Sequence, residues 1–230
     1  MRNKYQNIQN SKTNIDSVNN WQDFMFAYPE RTIRLGTSFS GIGAIEHSFH
    51  RLGLKCQIQF AGDIDENCRK AYFANYPISE ERWHSDVHDF DATKYYGEID
   101  LLVGGAPCQA FSLRGKHGGF DDTRGTLFRE FARIVKECRP KVFIFENVKG
   151  MLSHDKGRTW QVIKNTFEDY CDYDVYYQVL NGRIMVFLRV EKDCIVLVLE
   201  KIRNSNTHAL YNLIRQFMIF FRMISTQSIS

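Results

Sequence analysis

Short apolar runs alternate along the chain with longer stretches whose apolar residues return every three or four positions. β-branched and aromatic residues concentrate at 32–37, 57–62, 100–104, 141–145 and 173–180, each run bounded by Gly, Asp or Asn. Between them, 44–52, 66–75, 127–137 and 160–170 carry the helical period. The compact runs predict buried strands and the longer period predicts amphipathic helices. Strands alternating with helices of this length build βαβ units. The expected class is therefore α/β, a mostly parallel sheet with helices on both faces. Residues 1–30 are polar, rich in Asn and Gln, and read as a lead-in with a short helix around 21–27. The domain itself is expected at 31–182, without internal repeats.

Composition narrows this little. The 230 residues are enough for one domain with a sizeable core, and 43% apolar against 25% charged residues is globular. A net charge of +3 permits a nucleic-acid partner without arguing for one. The most apolar late run, 216–221, has six residues between Arg215 and Arg222. Roughly twenty are needed to span a bilayer, so no membrane segment is expected. The opening MRNKYQNIQNSKTN lacks the apolar core of a secretory signal, and the expected compartment is the cytoplasm. Six cysteines, at 56, 68, 108, 138, 171 and 194, form no CxxC pair. They read as reduced thiols, with neither a metal site nor a disulfide scaffold expected.

In a parallel α/β sheet, ligands bind beyond the carboxyl ends of the strands, so the residues following each strand carry the interest. After the first strand stands Phe39-Ser40-Gly41-Ile42-Gly43-Ala44, then Glu46. Glycines at a strand-to-helix turn admit a ligand close to the backbone, and the helix start offers free N–H groups. The third glycine of the dinucleotide fingerprint is missing, which counts against NAD. After the second strand comes Gly62-Asp63-Ile64-Asp65. Asp63 suits a ribose-hydroxyl acceptor and Asp65 suits a helix cap. Asp86-Val87 follows a third short segment and suits an adenine amino group. The fourth run ends Gly104-Gly105-Ala106-Pro107-Cys108-Gln109-Ala110-Phe111-Ser112, and the fifth ends Phe145-Glu146-Asn147-Val148. A thiol in a Pro-fixed loop and a carboxylate facing the same crevice make a nucleophile-and-acid arrangement.

FSGIGA, GAPCQAFS and FENVKGM, in this order and spacing, resemble the C5-cytosine DNA methyltransferase family from about Arg34 to Asn181. The resemblance implies a Rossmann-like S-adenosylmethionine-dependent methyltransferase fold, incomplete at its C-terminus. It implies a DNA (cytosine-5-)-methyltransferase acting on double-stranded DNA with a flipped-out cytosine, alongside a cognate restriction endonuclease. Cys108 would add to cytosine C6 and Glu146 would hold or protonate N3. Phe39, Gly41, Gly43, Asp63, Ile64, Asp86, Val87 and Leu127 would line the S-adenosylmethionine pocket. Asn147 would orient the Pro107–Cys108 loop, and 113–124 would form a mobile loop closing over the base. A tRNA cytosine methyltransferase is disfavoured by the Gln-Ala-Phe-Ser continuation, which looks like the bacterial DNA enzymes.

After Asn181 the chain departs from the family, which continues Asp-Tyr-Gly-Ile-Pro-Gln-x-Arg-Glu-Arg. Here the sequence is instead Gly182-RIMVFLRVEKDCIVLVLEKIRN-Ser205. One permitted set of codons for residues 183–201 reads, in another frame, Asp-Tyr-Gly-Ile-Pro-Gln-Ser-Arg-Glu-Arg-Leu-Tyr-Cys-Ile-Gly-Phe-Arg-Lys. Residues 183–230 are therefore expected to be an out-of-frame tail in place of the target-recognition region. The sheet would then lose its continuation after 173–180. The alternative takes 194–199 and 210–224 as a genuine strand and helix. In function, the alternative is a catalytically inactive remnant of the same family.

Overall fold

The computed structural model describes residues 30–107, 127–181 and 193–200. Seven strands form one sheet: β1 Ile33–Ser38, β2 Cys56–Gly62, β3 Trp83–His84, β4 Leu101–Gly104, β5 Val142–Val148, β6 Asp174–Asn181 and β7 Asp193–Glu200. Their spatial order is β3-β2-β1-β4-β5-β7-β6. Neighbours from β3 to β5 are parallel, and β7 lies antiparallel to both β5 and β6. The helices are α1 Ala44–Arg51, α2 Glu66–Asn75, α3 Leu127–Cys138, α4 Gly150–Ser153 and α5 Arg158–Asn165. The stretch expected as one helix at 160–170 is α5 followed by a π-helical turn, Thr166–Tyr170.

Buried side chains on the two faces of the sheet explain why helices cover both. On one face Phe60, Leu102, Phe143 and Phe145 pack with Phe128 and Phe131 of α3 and Ile163 of α5. On the other, Ile58 and Ala61 pack with Tyr72 of α2 and with Trp83. Ile58 and Phe60 share a parity yet face opposite ways. The β1–β2 register slips between Leu35 and Gly36, so Leu35 pairs with Ile58 and Gly36 with Phe60. That extra residue on β2 reverses the alternation. Each fully buried phenylalanine contributes roughly 1.5–3 kcal/mol by leaving water, and Phe60, Phe128, Phe131, Phe143 and Phe145 are all buried.

The amino end of the sheet is closed by charge. Asp100 accepts from the backbone N–H and Nε of Arg34 at 3.0 and 3.1 Å, and from Lys141 Nζ at 2.6 Å. Burial alone would raise the Asp100 carboxyl, but the bonds from Arg34 and Lys141 outweigh it and bring it to about 2.

β7 departs from the sequence expectation. The sheet does not end after 173–180: β7 is inserted between β5 and β6, with Val142 opposite Glu200 through Val148 opposite Cys194. The run Cys-Ile-Val-Leu-Val-Leu has strong strand propensity whichever frame produced it. The proposed helix at 210–224, the rest of the 183–230 tail, the lead-in at 1–29 and the loop at 113–124 lie outside the described residues.

Candidate active site

Register sets the floor of the site. Ser38 pairs with Gly104, and Gly104 with Phe145, so β1 and β4 end on one line beside Phe145, while β5 runs past the end expected at 145 and continues to Val148 against β7. Phe39, Gly105 and Glu146 are the next residue of each chain segment. Gly62 continues the line across β2, opposite His84.

The turn after β1 is built by its own side chains. Gly43 precedes α1 at φ 88°, where a side chain is strained, and an added Cβ would overlap the Tyr76 ring. Tyr76 Oη donates to the Gly43 carbonyl at 2.8 Å. Phe39 also holds a positive φ, 58°. Non-glycine residues adopt this conformation rarely, and it concentrates at ligand sites. Ser40 ties the turn to β2: its N–H donates to the Gly62 carbonyl at 2.9 Å, and its Oγ accepts from Gly62 N–H at 3.0 Å. The Ser40 and Thr37 hydroxyls are 2.8 Å apart, and Thr37 donates to Glu46 Oε1 at 2.9 Å. Tyr72 Oη donates to the same oxygen at 2.6 Å, while Glu46 Oε2 has no hydrogen-bond partner. Burial pushes the Glu46 carboxyl above its ordinary range.

Asp63 sits at the junction of β2 with the turn. Its Oδ2 accepts from Gly41 N–H at 2.9 Å and its Oδ1 from Asp65 N–H at 3.0 Å. Asp65 caps α2 by accepting from Asn67 N–H at 2.8 Å. Ile64, between them, is 80% exposed, and Gly41 has open space on its Cβ side. An apolar side chain offered to solvent beside an acceptor carboxylate and an uncovered glycine is a fit for a nucleoside. Asp86 lies past β3, with Oδ1 accepting from His88 N–H at 2.9 Å. That bond, joined by the His88 ring, holds the Asp86 carboxyl below its usual range. Val87 is buried in the main core and Leu127 packs against it at the start of α3.

Glu146 and Asn147 supply the other half. A Cβ built on Gly105 would lie 2.9 Å from Glu146 Oε2, so the missing side chain at 105 is what lets the carboxylate rest against the backbone. Gly104 is equally crowded, by the Phe131 ring at 2.5 Å. Asn147 Nδ2 donates to the Ala106 carbonyl at 3.1 Å, next to Pro107. Cys108 itself lies outside the described residues. Among the described thiols, burial raises Cys56 to about 11 and Cys138 and Cys171 to about 12, which makes them poor nucleophiles. Among the described residues no group of His, Cys, Asp and Glu could hold a metal, and no helix is long and apolar enough to cross a membrane.

Sequence reasoning named the residues that end strands and missed those that support them. Thr37, Tyr72 and Gly105 act through contacts made only on folding. Gly105 did carry a signal, as the second member of a Gly-Gly pair before Pro.

Comparison with known proteins bears on the family and the fold. The profile of the C-5 cytosine-specific DNA methylase family matches residues 33–185. The chain is 48% identical over 145 residues to the type II methyltransferase M1.ScrFI of Lactococcus lactis subsp. cremoris, covering 63% of this chain and 36% of that protein. It is 40% identical over 172 residues to the type II methyltransferase M.Eco47II of Escherichia coli, covering 73% and 39%. The chain thus spans little more than a third of the length of these curated relatives. The crystal structure of the Dnmt2 methyltransferase of S. pombe superposes with a TM-score of 0.54 at 14% identity, over 79% of this chain and 55% of that one. It shares the fold.

Proposed function

The chain belongs to the C-5 cytosine-specific DNA methylase family, and on that footing we propose that it carries the cofactor-binding and catalytic part of a DNA (cytosine-5-)-methyltransferase. Its substrate is cytosine in double-stranded DNA, flipped out of the helix to reach the site. The setting is a restriction–modification system in the cytoplasm, with a restriction endonuclease of the same DNA site as its counterpart. One observation carries the reading: Glu146 stands on β5 one residue past Phe145, the partner of Gly104 where β4 ends, and the next residue, Asn147, bonds the Ala106 carbonyl on the backbone leading into Cys108.

Asp63, Ile64, Asp86, Val87, Leu127 and the turn at Phe39, Gly41 and Gly43 would hold S-adenosylmethionine. When bound, it supplies an electrophilic methyl group on a sulfonium. The chain's own residues do the rest. Cytosine C5 is a weak nucleophile, and addition of the Cys108 thiolate to C6 raises electron density there. Glu146 holds N3 and offsets the charge that develops on the ring. Asn147 and Pro107 fix the thiol-bearing loop.

Residues 183–230 are read as an out-of-frame tail without the family's arginine-bearing motif. The end of the family match at residue 185 supports this. A second reading, a cofactor-binding remnant without methyl transfer, is favoured by β7. That strand lies beyond residue 185 and still completes the sheet.

The experiment compares the 230-residue chain with one read in the other frame after Asn181, using duplex DNA carrying 5-fluorocytosine. The restored chain is expected to form a covalent adduct, and its Cys108→Ser variant none. An adduct with serine, or none with the restored parent, would overturn the role of Cys108. Methylation at a defined site by the 230-residue chain would overturn the tail reading. Cofactor binding without transfer by that chain is the outcome expected of the second reading.

A further inference from the structure

The link from β3 to β4 carries Asp86 and Val87 but contains only turns and one short 3-10 segment, Thr93–Tyr95. α3 holds it in place. Arg133 Nη2 donates to the Val87 carbonyl at 2.7 Å and Nη1 to the Phe90 carbonyl at 2.9 Å. The guanidinium is braced from its own helix, with Nε on Glu130 Oε2 and Nη1 on Glu137 Oε2, both at 2.7 Å. Glu137 Oε2 also accepts from Ala92 N–H, at 3.2 Å. One arginine and one glutamate therefore bind three backbone groups of 87–92.

A row of i, i+3 and i, i+4 ion pairs on an amphipathic helix ordinarily faces water and contributes little. This one differs because its donors end on main-chain carbonyls more than forty residues away. Those carbonyls belong to a link with no ladder of its own beyond β3. The planar fork of arginine reaches two of them at once, whereas a lysine ammonium on its flexible stem would reach one. The link and α3 both feed the main core, Val87 from the link and Leu127 from the start of α3.

We infer that Arg133 is a positioning residue for S-adenosylmethionine recognition. By fastening the Val87 and Phe90 carbonyls to α3, it sets the direction in which Asp86 meets the adenosine. This rests on the reading that Asp86, Val87 and Leu127 line the cofactor pocket.

The test uses the full 230-residue chain and needs no turnover. Affinity for S-adenosylmethionine is measured by calorimetry for the parent, Arg133→Gln, Arg133→Lys, Asp86→Ala and the Arg133→Gln/Asp86→Ala double variant, with thermal unfolding in parallel. Arg133→Gln is expected to weaken binding about tenfold or more, and Arg133→Lys by less. In the Asp86→Ala background the Arg133→Gln loss should shrink to about twofold, because both changes remove the same contact. A loss that multiplies in full, or an unchanged affinity with only a lower unfolding temperature, would overturn the inference. If Arg133→Gln does not fold, Arg133→Lys carries the test, and an affinity equal to the parent's overturns it. If the parent binds and Asp86→Ala binds equally well, the pocket reading fails first and takes the inference with it. A parent that does not bind would refute both for this chain.

Discussion

The side-chain amide of Asn147 donates to the carbonyl oxygen of Ala106 at 3.1 Å, so the residue that follows Glu146 on β5 holds the backbone leading into Pro107. Ala106 is 2% exposed, and water cannot readily replace the donor. Asn147→Ala should therefore destabilise the protein by about 1–3 kcal/mol, the usual cost of stranding a buried acceptor. Urea unfolding measures it. Affinity for S-adenosylmethionine should change little, since Asp63 is held by the N–H groups of Gly41 and Asp65. A stability within a few tenths of a kcal/mol of the parent's would show that the bond contributes nothing.

Gly105 offers a test of the Glu146 position that leaves the carboxylate in place. A methyl group there would lie 2.9 Å from Oε2, so the side chain must move. In the chain restored after Asn181, Gly105→Ala should lower the rate of methyl transfer by about tenfold or more with cofactor affinity retained. Glu146→Gln should lower it by roughly two orders of magnitude or more, the general scale for losing an acid or a charge stabiliser. Single-turnover rates compare the two. A Gly105→Ala rate equal to the parent's would mean that the carboxylate's rest against the backbone is incidental.

His84 predicts an acid-side loss of stability. Burial, then the nearby Lys94 and Arg133 cations, bring its imidazole down to about 4. An unfolded histidine titrates near 6.5, so between these values the unfolded chain binds more protons and stability rises with pH. The contribution is complete above about 6.5 and is lost as pH falls toward 4, an effect on the order of 3 kcal/mol. His84→Phe keeps a ring against Phe90, on which His84 stacks at 4.1 Å, and removes the titration. Its urea midpoint should fall less than the parent's between pH 7 and pH 4. Parallel curves would refute the assignment. The depressed Asp100 acts mainly at lower pH, toward about 2, and leaves most of this window clear.

What was readable in the sequence and what was not divide along a physical line. α2 begins and ends where the helical period does, at Glu66 and Asn75, because Asp65 caps it locally. β1, β2, β4, β5 and β6 were visible as compact apolar runs, and Asp63 and Asp86 as polar residues just past strand or segment ends; Glu146, expected just past β5, lies within it because β7 extends the pairing to Val148. β3 was not, because it consists of two residues paired to Ala61 and Gly62. β7 was discounted because its residues do not match the family motif. Main-chain pairing asks only for strand propensity, and Cys194–Leu199 has it. Arg133 and Tyr72 act across more than twenty-five residues of sequence, where neither spacing nor composition reports them.

Glu46 predicts the opposite sign from His84. Burial is the main cause of its raised value, partly offset by the bonds from Tyr72 and Thr37. The groups facing it are the Tyr72 hydroxyl from α2 and the Thr37 hydroxyl from β1, with Tyr76 and Cys56 close enough to feel its charge. No cation is among them. A carboxyl whose folded value lies above its unfolded one binds its proton more tightly in the native state. Stability is then highest below about 4.5, the unfolded value, and falls as pH rises through the folded value. Glu46→Gln keeps an oxygen for Tyr72 and Thr37 and cannot ionise. The parent should lose stability from pH 5 to pH 8 relative to Glu46→Gln, read as the difference between their urea midpoints at each pH. Because His84 gains stability over part of the same range, the parent's profile alone would show a shallow curve. The two variants should tilt it in opposite directions. A constant difference between the parent and Glu46→Gln from pH 5 to pH 8 would mean that Glu46 is ionised in the folded chain over that whole range, as it is in the unfolded one.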